Sequence, residues 1–269
     1  MVNFENKDRY GVEDLRKLIS VLRGPGGCPW DAEQTHESIR RNFLEEAYEA
    51  VEAIDEQDPT HLCEELGDVL MQVMFHADIE ADAGRFNLDD VADMTVKKLI
   101  SRHPHVFGDV AVSGSGDVLA NWDVLKRIEK HQETVADSLA AVAKSLPGLW
   151  RAEKIQKKAS KVGFDWPDAA GALDKLQEEL DELADAVRTG GNTREELGDL
   201  FFSAVNVGRF LKIDPEEAVQ ASCDKFILRF RHLEAAALAQ GRKLEEMTLQ
   251  ELDELYKSAK LALENKYDA

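Results

Sequence analysis

A chain of 269 residues holds one large domain or two ordinary ones, and its apolar share of 43% is enough to build a core. A formal charge of −20 excludes a surface made to coat a nucleic-acid polymer, because phosphate backbones demand an excess of Lys and Arg. It leaves room for a small phosphorylated ligand, since a bound divalent cation reverses the sign of the field locally.

Helical periodicity dominates from the start. Val12, Leu15, Leu18, Ile19 and Leu22 share one face of a helix over 12–22. Gly24-Pro25-Gly26-Gly27 ends it and leads into Cys28-Pro29-Trp30-Asp31, a tight turn in which Cys28 is expected to be buried packing. Helices are predicted over 38–56 and 59–83, the second opened by Asp58 as cap with Pro59 in its first position and stopped by Gly84. Asn87 caps a fourth helix ending near Arg102. His103-Pro104-His105-Val106-Phe107 reads as extended or turn-like, because the residue before a proline avoids the helical region. Its two histidines are assigned a structural role. Val112 to Asp117 is a surface loop, and a helix over 118–133 connects two halves, with the boundary at 134–146.

The second half repeats the plan. Pro147 opens a helix to Lys161, Gly163-Phe164-Asp165-Trp166-Pro167 breaks it, and helices follow over 169–188, 193–211, 215–239 and 248–264. No strand-like alternation or βαβ order is present. The fold class is all-α, as tandem duplicated helical-bundle domains over 1–117 and 147–269 with a helical connection over 118–146. Cys28, Cys63 and Cys223 show no C-x-x-C spacing and suit a reducing compartment. The polar N-terminus and the lack of an apolar run near the ~20 residues needed to span a bilayer make a cytoplasmic protein with no membrane partner the expectation.

One acidic pattern occurs twice. Glu46 and Glu49 precede Glu65 and Asp68, and Glu179 and Glu182 precede Glu196 and Asp199, within repeated Glu-Leu-Gly-Asp segments. Residues three apart share a helix face. A short loop between the two helices of each pair makes them antiparallel neighbours, so the two acidic faces converge. Four converging carboxylates repel unless a cation lies among them, and oxygen-only donors select a hard ion, Mg²⁺ or alternatively Mn²⁺. Glutamates at helical spacing are ordinarily just solvated, and Thr193-Arg194-Glu195-Glu196 also fits a capping box with Glu196 in its third position. The first copy has no such box, so capping cannot explain both. Gly67 and Gly198 lie inside helices at a cost of roughly 1 kcal/mol each relative to Ala, which points to close helix approach or a contact beside the metal.

Cations recur as well. Lys225 and Arg229 stand four apart on one helix, and Lys98 and Arg102 occupy the equivalent place in the first half. Such a pair suits a polyphosphate, although an ordinary surface ion pair explains either one alone. Lys154, Lys157 and Lys158 form a basic stripe near Phe164 and Trp166, which would add a phosphate clamp and an aromatic wall for a base; the aromatics could equally be core.

Taken together, Gly27-Cys28-Pro29-Trp30-Asp31, Leu44 to Glu49, Glu64 to Asp68, Arg102 to Phe107, Lys154 to Lys157, Val162 to Trp166 and Glu195 to Asp199 resemble the MazG family of nucleoside triphosphate pyrophosphohydrolases in its two-domain bacterial form. The resemblance runs from about residue 12 to 262. It implies the all-α pyrophosphohydrolase fold, a homodimer, and Mg²⁺-dependent hydrolysis of nucleoside triphosphates of broad base range to monophosphate and pyrophosphate, as nucleotide-pool house-cleaning. It implies metal ligands at Glu179, Glu182, Glu196 and Asp199, and at Glu46, Glu49, Glu65 and Asp68. It places phosphate binding at Lys225 and Arg229 and the main catalytic role in the second domain. Where family members carry Trp near the C-terminal helix, this chain has Tyr256, which makes Tyr256 the candidate for base stacking. Glu178 or Glu195 is the candidate to orient or deprotonate the attacking water, while Lys225 and Arg229 neutralise the leaving pyrophosphate. Two other classes stay open: a di-iron carboxylate bundle, which expects Glu-x-x-His where this chain has Glu-x-x-Asp, and a non-catalytic helical dimerisation module that binds nucleotide and metal.

Overall fold

A computed structural model describes residues 4–114, 116–118, 121, 122, 125, 129 and 133–267, with side chains as far as Leu263. Among the described residues every regular element is helical. The chain divides into two compact units, Met1–Leu125 and Lys126–Ala269. The first holds α1 (Val12–Arg23), α2 (Pro29–Ala32), α3 (His36–Asp55), α4 (Pro59–Asp82), α5 (Leu88–Arg102) and α6 (Pro104–Phe107). The second holds α7 (Val135–Ala140), α8 (Gly148–Ser160), α9 (Ala169–Thr189), α10 (Thr193–Leu211), α11 (Pro215–Ala239), a 3₁₀ turn at Leu244–Glu246 and α12 (Leu249–Tyr267).

In the first unit α3 and α4 pack as a helical hairpin. Its turn is set by Gln57 in the left-handed region at φ 57° and by Asp58, whose Oδ1 accepts from the backbone N–H groups of Thr60 at 2.8 Å and His61 at 3.1 Å. Those bonds satisfy donors that the first turn of a helix leaves orphaned. α1 lays its apolar face on α4, so that Ile19 joins Ile39, Met74 and Phe75 in the core, flanked by Leu15, Leu70 and Leu88. Arg23 closes this contact. Its side chain is 6% exposed, and its guanidinium reaches Asp78 at 2.7 Å and Asp82 at 3.0 Å and lies 5.6 Å above the Phe75 ring. A polar seam joins α3 to the end of α4: His36 and His76 lie 2.7 Å apart through their Nδ1 atoms, and His36 Nε2 faces Glu80 at 2.5 Å. Arg85, and then His36, hold the Glu80 carboxyl down at about 2.

The second unit builds the matching hairpin from α9 and α10. Gly190 caps α9 in the left-handed region at φ 76°, where its N–H donates to Ala186 O at 2.9 Å. α8 packs on α10 through Gln156 Nε2, which donates to Phe202 O at 2.7 Å. α12 returns along α11, burying Leu233, Ala237, Ala259 and Leu263. Asp214 caps α11 ahead of Pro215 just as Asp58 caps α4, and it also accepts from Trp150 Nε1 at 3.0 Å.

Several expectations change. Pro104–Phe107 is a short helix rather than an extended segment, because Pro at the first helical position needs no N–H partner while His103 alone takes the non-helical backbone. His103 Nδ1 bonds to Leu99 O at 2.5 Å, which agrees with a structural role. Cys28 is half-buried and sits at the N-terminal boundary of the short helix α2 without a side-chain bond to it. The expected 118–133 helix falls mostly outside the described residues; of its positions, 118, 121, 122, 125 and 129 are helical. The expected boundary at 134–146 contains α7, capped by Thr134 and packed on α8. Finally, a Cβ built on Gly67 or Gly198 meets nothing within 4 Å, so close approach of a neighbouring helix is not what places glycine there.

Candidate metal centres and nucleotide site

The two hairpins bring the paired carboxylates together. In the first unit, ligand atoms of Glu46, Glu49 and Glu65 lie within 4.8 Å of one another; in the second, those of Glu179, Glu196 and Asp199 do so. Asp68 and Glu182 fall outside these tight groups, yet both act on them. The Glu46 carboxyl is pushed up by burial and then by Asp68, Glu49 and Glu65. Glu182 is likewise pushed up by desolvation and by Glu179, Glu178 and Glu196, against the pull of Lys175. Neighbouring carboxylates thus raise the proton affinity of Glu46 in the first set and of Glu182 in the second.

These residues fit a hard divalent ion. All donors are carboxylate oxygens, the donor type such ions take. Glu65 is 8% exposed, and its Oε2 is buried with no hydrogen-bond partner, a state that costs free energy unless a cation or donor meets it. Glu65 is raised first by desolvation and then by Glu49. Beside it, His61 Nε2 lies 3.3 Å from Glu65 Oε1 and Nδ1 lies 3.4 Å from Glu56 Oε2.

The cap of α10 resolves the rival reading of Glu196. The N-cap is Asn192, one residue earlier than Thr193. Asn192 Nδ2 donates to Glu195 Oε2 at 2.6 Å, so Glu195 and not Glu196 serves the cap. Glu196 joins the carboxylate group, and Glu195 bonds to Asn192 instead. Glu178 lines one open cleft with Asp181, Glu182 and Glu196.

Lys175 is the residue that sequence reasoning missed. Its Nζ bridges Glu179 at 2.7 Å and Glu178 at 2.8 Å, and those two carboxylates raise its proton affinity. The available signal was its position four residues before Glu179, the spacing at which helical side chains pair. The first unit has Asn42 in the corresponding place.

The other predicted residues spread over two neighbourhoods. On α11, Lys225 is exposed and Arg229 half-buried. Phe226, next to Lys225, lies 5.7 Å ring to ring from Tyr256 on α12, so the basic pair and the tyrosine share one region. On α8 the expected stripe divides: Lys154 is exposed, Lys157 pairs with Glu153 at 2.5 Å, and Lys158 turns inward to donate to Ser138 Oγ at 2.6 Å. Phe164 is 82% exposed and Trp166 42%, so neither is a core residue. Their loop is pinned by a bidentate pair between Asp165 and Arg209, and Trp166 packs on Gly171. Lys98 is exposed on α5, the counterpart of α11 in the first unit.

The duplicated sets have a counterpart in known proteins. The MazG nucleotide pyrophosphohydrolase domain matches residues 34–107 and again 170–234, stretches that contain all eight carboxylates. This chain belongs to the MazG family. It is 43% identical over 248 residues to the nucleoside triphosphate pyrophosphohydrolase/pyrophosphatase MazG of Thermotoga maritima, covering 92% of this chain and 95% of that one. It is 39% identical over 254 residues to the nucleoside triphosphate pyrophosphohydrolase of Escherichia coli, covering 93% and 97%. It is also 48% identical over 249 residues to the uncharacterized protein YabN of Bacillus subtilis, but spans only 51% of that chain. Among the described residues no helix is long and apolar enough to cross a membrane.

Proposed function

We propose that this protein hydrolyses nucleoside triphosphates to monophosphate and pyrophosphate, with Mg²⁺ as cofactor and Mn²⁺ as a substitute, over a broad base range and in a house-cleaning role in the cytoplasm. The convergence of Glu179, Glu196 and Asp199 within 4.8 Å, with Glu182 coupled to them, carries the reading. These four acids of the proposed domain 147–269 would hold the metal, and Glu46, Glu49, Glu65 and Asp68 of domain 1–117 would hold a second one. A bound divalent cation would supply Lewis acidity toward phosphorus and neutralise the triphosphate.

The chain's own residues divide the remaining work. Lys175 orients Glu179 and Glu178 and offers a charge to a phosphate that enters between them. Glu178 lines the cleft beside Glu182 and Glu196, and Glu195 does not line it, so the task of orienting and deprotonating the water goes to Glu178. Lys225 and Arg229 neutralise the leaving pyrophosphate. Tyr256, Phe164 and Trp166 offer ring faces to a base without reading its edge, which suits a broad base range, and of the three α8 lysines the exposed Lys154 is the outer cation.

A homodimer completes the proposal. On α11 every residue from 217 to 228 is exposed, among them Val219, Phe226, Ile227 and Leu228. A helix with apolar side chains on several open faces is one that a partner covers.

The metal requirement is open to a direct test. Dialysis against EDTA is expected to stop nucleotide turnover, and added Mg²⁺ is expected to restore it. Turnover that survives chelation would sink the assignment of the carboxylates to metal.

A further inference from the structure

The two carboxylate centres differ in what stands beside them. In the second unit the neighbour of Glu179 is a lysine; in the first unit the neighbour of Glu65 is an imidazole. The cause lies in the helix starts. α4 begins at Pro59, six residues before Glu65, whereas α10 begins at Thr193, three residues before Glu196. The extra turn of α4 carries His61 four residues before Glu65, on the same face. The corresponding position in the second unit is Asn192, whose side chain serves the cap.

We propose that His61 is a nitrogen ligand of the first unit's carboxylate centre, and that this centre therefore favours a borderline transition ion of the Co²⁺, Ni²⁺ or Zn²⁺ class over Mg²⁺. The inference rests on the reading of Glu46, Glu49 and Glu65 as metal ligands. Three observations carry it. His61 Nε2 and Glu65 Oε1 are 3.3 Å apart, while His61, like Asp68, stands outside the group of ligand atoms within 4.8 Å of one another and would close on it when an ion binds. Two donors at about 2.0–2.2 Å from one ion, roughly 100° apart, have about that separation. Next, His61 Nδ1 faces Glu56 Oε2 at 3.4 Å. A carboxylate on one ring nitrogen fixes the tautomer whose other nitrogen points its lone pair at the metal. Last, Glu65 is 8% exposed and its Oε2 has no hydrogen-bond partner, so the carboxylate is built for a cation beyond its contact with His61. Imidazole in place of an oxygen donor shifts preference from hard ions toward borderline ones.

The experiment uses the full chain carrying Glu179→Gln and Asp199→Asn, so that the second centre is silent. With Mn²⁺ as the probe, pulsed electron paramagnetic resonance is expected to show ¹⁴N coupling from a directly bound imidazole. Adding His61→Gln is expected to remove that coupling while Mn²⁺ stays bound, and to weaken Co²⁺ affinity about tenfold with little change for Mg²⁺. Glu56→Gln is expected to keep the coupling and weaken Co²⁺ binding. Bound Mn²⁺ without nitrogen coupling, as an imidazolium that merely bridges Glu56 and Glu65 would give, overturns the role of His61. So does coupling that survives His61→Gln. Failure of Mn²⁺ to bind at all overturns the carboxylate reading of this centre, and His61 falls with it.

Discussion

Glu179→Gln is expected to lower pyrophosphate release by at least about a hundredfold, because even partners one shell outside a metal cost 10–100-fold when they are removed. Glu179 is 6% exposed, belongs to the group of acids within 4.8 Å, and is the acid that Lys175 holds at 2.7 Å. The substitution keeps size and shape but removes the charge, so the fold is preserved. Glu46→Gln is expected to leave most of the turnover. The asymmetry follows from the surroundings: Lys175 stands within the second set, and Tyr256 lies against Phe226 in the same unit. The first set has Asn42 where the second has Lys175. Steady-state rates of both variants at saturating Mg²⁺ check this, and equal loss in the two would contradict the assignment of chemistry to the second unit.

The second large effect is on stability. Ile19→Ala is expected to cost about 2–5 kcal/mol of folding free energy, the range for removing most of a buried aliphatic side chain and leaving a cavity. Ile19 is 2% exposed and links α1 to the α3–α4 hairpin through Ile39, Met74 and Phe75. Its neighbours Ile39 and Met74 are themselves 3% and 2% exposed and held by their own packing, so they fill little of the space. Urea denaturation of the full chain measures it, and a loss under about 1 kcal/mol would mean that α1 is not part of the core. With two units in the chain, the transition must first be tested for more than one step.

Much of this was legible in the sequence, and the reason is local. Each helix carries its own start: Asp58-Pro59 and Asp214-Pro215 are read correctly because cap and proline act within one turn. The carboxylate groups were legible because residues three apart share a face and short loops force antiparallel pairing. What was missed lies one residue or one rotamer away. The cap of α10 is Asn192 rather than Thr193, and that single step exchanges the roles of Glu195 and Glu196. Pro104 disfavours helix at the residue before it, but its own preference for the first position of a helix prevails. Lys158 shares a helical face with Lys154, yet it turns to Ser138, a residue twenty positions away that periodicity does not reveal. The glycine inside each Glu-Leu-Gly-Asp segment has open space around it, so packing in this chain does not explain it.

The central claim is the bond that breaks. A nucleoside triphosphate labelled with ³²P in its γ-phosphate, incubated with the protein and Mg²⁺, separates the outcomes at the earliest times. All label should appear first in pyrophosphate, in step with the monophosphate. Label appearing first in orthophosphate, with nucleoside diphosphate beside it, would contradict the account.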